Sequence, residues 1–223
     1  MARLLYQQDS TPMHQRMARR HIRLCGQIIG AASLGQAMQP KLDVLTVKAR
    51  DRHAAEELCE NVQDDLVLTD SYLDNGVRNL FENARMYDRN NMTRITEMLF
   101  PHLTFSDIIN MPLSEEPLKV AQLIEKLGQL EEGNELRNYI ETLTEASKSV
   151  NTVLEARRNT AENLSRRQAD EELARAAVRA QYESNYLDAR KQFGRQHAEH
   201  LFPKVANRRG KRSGGADEAD REE

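Results

Sequence analysis

Between Leu42 and Asn90 the chain contains no proline, while Leu45, Ala55, Leu58, Val62, Leu66, Leu73 (or Tyr72), Val77, Leu80, Ala84 and Tyr87 recur mostly in steps of three or four. Apart from two wider steps, Leu45 to Ala55 and Leu66 to Leu73, that spacing lays one apolar stripe along one helix face; a strand would need strict alternation. Gly76 interrupts the run at a cost of about 1 kcal/mol relative to alanine. A helix packed along its length tolerates that loss, so one very long helix is expected here, with a kink at Asn90-Asn91 and a stop at Pro101.

The same period governs the rest of the chain. Thr11-Pro12 is a helix start, because a hydroxyl can cap free N–H groups and proline fits the first turn. Met13, Met17, His21, Leu24, Ile28, Ala31, Leu34 and Met38 then follow on one stripe, and Pro40 is expected to end it. Residues 102–116 form the one clear interruption, with Pro112 inside it and Pro101 and Pro117 at its edges. Its apolar pieces, Phe105, Ile108 and Ile109, point to a connection packed onto the helices. A third helix carries Leu118 to Leu130 and ends at Gly133. A fourth opens near Asn134 and continues through Phe193 to Pro203, its stripe thinning across the charged segment Glu155 to Glu172.

Composition agrees with long helices. Charged residues make up 30% of the 223 and aromatics 5%, and only ten glycines and six prolines are present to make turns. The net charge of −3 offers no global attraction to nucleic acid or anionic lipid. No apolar leader precedes Arg23, and the weakly polar run Leu24 to Met38 falls short of the roughly 20 residues a spanning helix needs. A cytoplasmic location is the expectation.

Both long helices finish on Leu-Phe-Pro. Val77-Arg78-Asn79-Leu80-Phe81-Glu82 is similar to Val178-Arg179-Ala180-Gln181-Tyr182-Glu183, and the likeness runs on to Glu97-Met98-Leu99-Phe100-Pro101 against Glu199-His200-Leu201-Phe202-Pro203. This predicts an all-α fold from two repeated helical hairpins, each a short helix and then a long one, over about 11–101 and 117–203. Neither hairpin can bury its stripe alone, so an elongated antiparallel four-helix bundle over 1–203 is expected. Residues 204–223, basic and then acidic with almost nothing apolar, are expected to be a disordered tail.

Site chemistry is sparse. Cys25 and Cys59 lie at similar distances from Pro40, so a hairpin turning there would bring them together; two reduced, buried thiols are the plainer expectation. His197 and His200 flank Glu199 at helical spacing but lack a third ligand, and the positions that would complete two Glu-x-x-His motifs hold Gly194 and His197. His21 falls on an apolar stripe, while His53 and His102 join no cluster. Gly26, Gly30 and Gly35 give the first helix a small-residue face suited to a close neighbour or, less simply, a membrane. Asp64, Asp65, Asp70 and Asp74 scatter round a helix and read as solvated. The basic segment Arg208 to Arg212 is too short to argue for phosphate binding. No catalytic residue, cofactor or metal site is therefore expected. The sequence points to a non-enzymatic helical scaffold, spacer or assembly protein that takes a protein partner or self-associates. A membrane-active bundle and a metal- or ligand-binding enzyme are the alternatives.

Overall fold

The computed structural model describes residues 4–101 and 104–202 and is all-α, with no strand among them. Six helices follow in order: α1 (Thr11–Cys25), α2 (Ala32–Asn91), α3 (Ile95–Leu99), α4 (Phe105–Ile109), α5 (Glu116–Gly128) and α6 (Tyr139–Leu201). A 3-10 turn, Glu135–Asn138, leads into α6, with the Asn134 side chain accepting the Leu136 N–H. Pro203, His102 and the predicted tail 204–223 lie outside the described residues.

The first boundary differs from expectation. The stripe from Met13 to Met38 is divided between two helices, α1 and α2, by a turn over 26–31, and Pro40 sits inside α2. Gly30 makes the reversal possible, with φ of +82°, a region that a Cβ disfavours. The Ala31 N–H then bonds the Ile28 carbonyl across the turn. A proline within a helix costs about 3 kcal/mol. The helix persists because Leu34, Met38, Leu42 and Leu45 form one buried seam on both sides of it.

The chain divides into two compact units, each drawing on both sequence halves. Unit 1 comprises Met1–Val47 and Glu172–Glu223; unit 2 is Lys48–Glu171. In unit 1, Met17 and Cys25 of α1, the α2 seam, and Val178, Tyr182 and Ala189 of α6 share one core. Gly35 lets α1 and α2 approach: a Cβ there would stand 3.2 Å from Cβ of Cys25. In unit 2, Leu73, Val77, Leu80 and Ala84 of α2 pack with Val120, Leu123 and Leu127 of α5 and with Leu143 and Val150 of α6. Ile108 of α4 belongs to the same core, so the connection is packed as its apolar residues imply. The partners of α2 fall on α6 as it climbs, from Lys48 with Asp170 (2.8 Å) to Asn83 with Tyr139 (2.7 Å), so the two run antiparallel.

Each core is closed by a Leu-Phe pair that arrives after a reversal. Met92 has φ of +55° and Gly194 φ of +74°, and each stands eight residues before the phenylalanine, Phe100 or Phe202. At the first break Asp88 takes over the exposed donors, accepting from Ile95 N (2.7 Å) and Thr96 N (2.9 Å) at the start of α3. At the second, the extended ψ of 168° at Gly194 interrupts α6 itself. Leu99 and Phe100 then bury in unit 2, and Leu201 and Phe202 in unit 1. Phe100 meets Phe81 edge-on at 5.1 Å between ring centroids, and Phe202 meets Tyr182 edge-on at 4.9 Å.

Along α2 in sequence, the part of unit 2 before Leu73 is thinner: Ala55 and Leu66 are its buried apolar residues and belong to neither cluster. Three ion pairs link α2 to α6 there: Lys48–Asp170, Arg52–Glu171 and Arg167–Asp51. Truncating a plug should therefore hurt most. Phe100→Ala and Phe202→Ala are each expected to cost about 3–5 kcal/mol in urea denaturation followed by circular dichroism; midpoints equal to wild type would remove the plug role.

Candidate functional site

The strongest concentration of unusual chemistry lies in unit 2. Asp70 and Asp74 are four residues apart on α2 and so share a face. Glu116, the first residue of α5, meets them: one carboxylate oxygen from each of the three lies within 4.8 Å of the others. Asp70 and Asp74 are partly exposed, but Glu116 is 1% exposed. Pro117 beside Glu116 and Val120 one turn on are both buried, which anchors this end of α5.

Burial first, and then the charges of Asp74 and Asp70, push the Glu116 carboxyl up to about 8. Asp74 is also raised, by burial and then by Asp70. Glu116 Oε1 and Asp74 Oδ1 are buried without a hydrogen-bond partner among the described residues. One proton can bridge a pair of carboxyls but cannot satisfy all three. Asp70 and Asp74 thus depart from the solvated role expected of them, whereas Asp64 and Asp65 are exposed. Glu116 carried no sequence signal, since its partners lie more than 40 residues away.

Unit 1 buries a different kind of polar group. His21 is fully buried, with Nδ1 3.2 Å from the Leu201 carbonyl and Nε2 2.9 Å from Asn185 Nδ2. Asn185 Nδ2 also donates to the Leu34 carbonyl at 2.8 Å, and Asn185 Oδ1 accepts from Gln181. The network assigns the neutral tautomer: Nδ1–H donates to Leu201 and Nε2 accepts from Asn185. The ring lies 4.4 Å from that of Phe202. Burial lowers the pKa of both His21 and His14. His21 is therefore a satisfied core histidine that ties α1 to the end of α6.

A third feature is an open groove of about 680 Å³ on unit 2, lined by Asn83, Tyr87, Asn90, Glu135, Asn138 and Tyr139 among others. Part of its polar capacity is used internally, since Asn83 donates to Tyr139 Oη and to the Asn79 carbonyl.

The other sequence candidates separate. Cys25 is buried in unit 1, and Cys59, in unit 2, lines a shallow groove with Arg157 and Thr160; both are free thiols. Because the chain turns at Gly30 rather than Pro40, the residue that faces Cys25 is Gly35. His197 and His200 are both exposed, and His53 pairs with Glu57 at 3.4 Å. No described helix is long and apolar enough to cross a membrane. No family model, curated protein or solved structure matches this chain.

Two outcomes follow. Burial pushes the Cys25 thiol up to about 11, so a maleimide at neutral pH should label Cys59 well before Cys25; equal rates would contradict this placement. The second concerns pH. The folded state holds a proton on Glu116, so that contribution is full below about pH 4.5 and is lost as pH rises through about 8. His21 acts in the opposite sense: its contribution is full above pH 6.5 and is lost as pH falls below it. Urea midpoints between pH 5 and 8.5 should show Glu116→Gln removing the alkaline loss, worth a few kcal/mol, while the acid loss stays. A wild-type alkaline slope in that variant would refute the assignment.

Proposed function

We propose that the protein is a non-enzymatic assembly component, a helical scaffold that associates head to tail with further copies of itself. The observation that carries this reading is a second stripe on α2, beside the buried seam. Ala54, Leu58, Asn61, Asp65, Leu68 and Tyr72 recur at steps of four and three, and Leu58, Leu68 and Tyr72 are 46%, 53% and 63% exposed. Heptad spacing of this kind fits another helix, and a polar residue within such a stripe fixes register at some cost in stability.

Charge argues for what covers it. Over residues 48–171 there are 24 Asp and Glu against 15 Lys and Arg, whereas residues 4–47 and 172–202 carry ten Lys and Arg against six Asp and Glu. Two copies of unit 2 would repel. Unit 1 of another copy is better suited: it exposes Leu173 and Leu187, two residues four turns apart on α6, with Arg179, Arg190 and Lys191 along the same helix. A contact between two different surfaces repeats from copy to copy and so builds rings or filaments.

The reading includes an origin by duplication, with α1–α2 and α5–α6 as the two hairpins and as the four helices of the expected bundle. The matched reversals eight residues before Phe100 and Phe202, and the matched ring pairs Phe81–Phe100 and Tyr182–Phe202, support it. A cytoplasmic setting belongs to the same proposal.

Sedimentation velocity from micromolar to several hundred micromolar provides the test. Oligomers should grow with concentration, weaken in high salt as screening sets in, and vanish in Leu68→Glu or Leu187→Glu with helicity unchanged. A chain that stays monomeric at every concentration in low salt would overturn the proposal.

A further inference from the structure

Among the described residues, Asp70, Asp74 and Glu116 are the one group of three ligand-type side chains within reach of a single ion. We propose that this trio binds a hard divalent cation of calcium's size. The donor set is all carboxylate oxygen, which selects calcium, magnesium or manganese over the softer metals that prefer nitrogen and sulfur. Coordination habit favours calcium. Its flexible shell of oxygen ligands accepts three side chains completed by water, whereas magnesium demands near-ideal octahedral geometry and dehydrates reluctantly.

The independent observation is Glu116 itself. Two partly exposed aspartates on a helix would be an ordinary acidic surface. A third carboxylate, 1% exposed, aimed at them and with Oε1 unpartnered, is a different matter. An uncompensated buried carboxylate is costly, and the charge of Arg78 acts on Asp74 only as a minor influence, behind burial and Asp70. A divalent ion would supply a partner to Glu116 Oε1 and Asp74 Oδ1 together, which one proton cannot do. Binding would displace that proton, so affinity should rise with pH. The site stands apart from the exposed stripe on α2 and does not depend on self-association.

The test is the melting temperature of the full chain at pH 8 in CaCl2 against EDTA, with isothermal titration of CaCl2. Calcium at about a hundredfold above its dissociation constant should raise the melting temperature by roughly 5–10 °C, with a smaller rise at pH 5.5 and a one-site isotherm. Glu116→Gln copies the shape of the protonated side chain, so it should fold with a melting temperature in EDTA at least equal to wild type, and lose the calcium response. Asp70→Asn, at the partly exposed edge, should keep the fold and weaken the response. Identical wild-type melting in CaCl2 and EDTA at pH 8 would overturn the proposal, since the trio would then hold a proton only. A calcium rise of equal size in Glu116→Gln would overturn it as well, by assigning the effect to surface charge.

Discussion

Each unit depends on a phenylalanine that turns back beneath an aromatic ring. A long helix with a narrow apolar seam buries too little to close its own end, and its last carbonyls are left without partners. Here the chain reverses at Met92 or at Gly194, spends two turns, and drives Leu99-Phe100 or Leu201-Phe202 into the core. Burying such side chains contributes about 1.5–3 kcal/mol each, concentrated where the helices would otherwise fray. The polar contacts nearby serve the same closure: His21 holds the Leu201 carbonyl, and Lys126 Nζ donates to the Leu99 carbonyl at 2.9 Å.

Around these plugs the two units solve the burial of polar groups differently. Unit 1 buries an imidazole and an amide whose hydrogen bonds are mutually matched, so burial has been compensated and little is left for a ligand to gain. Unit 2 brings three carboxyls together, and Glu116 Oε1 and Asp74 Oδ1 are buried there without a hydrogen-bond donor among the described residues. The contrast separates a structural network from a candidate site: the first has its hydrogen bonds matched, and the second leaves two buried carboxylate oxygens without a donor.

Much of the fold was legible in the sequence because helical period, proline spacing and the repeated Leu-Phe-Pro are local signals. Helix starts near Thr11 and Asn134, the packed connection and the two plugs follow directly from them. The α1–α2 turn was not legible for a physical reason. Pro40 is the stronger local breaker, but the seam through Met38 and Leu42 holds it in a helix, while the left-handed φ of Gly30 makes the reversal. The same error placed Cys59 opposite Cys25. Gly194 was hidden because its stripe continues on both sides of the break. The carboxylate trio was not legible: the four aspartates of α2 were read together as scattered and solvated, and Glu116 reaches Asp70 and Asp74 only through the packing of α5 on α2.

Stability on this account resides in two closed cores, with a thinner charged stretch between them in sequence. Amide hydrogen exchange, resolved along α2 and α6, tests that distribution directly. The slowest amides should lie at Leu34–Leu45 and Val178–Ala189 in unit 1 and at Leu73–Ala84 and Leu143–Val150 in unit 2. Faster exchange is expected around Ala55–Val62 and Arg157–Leu164. Uniform protection along both helices, or slowest exchange in those middle segments, would contradict it.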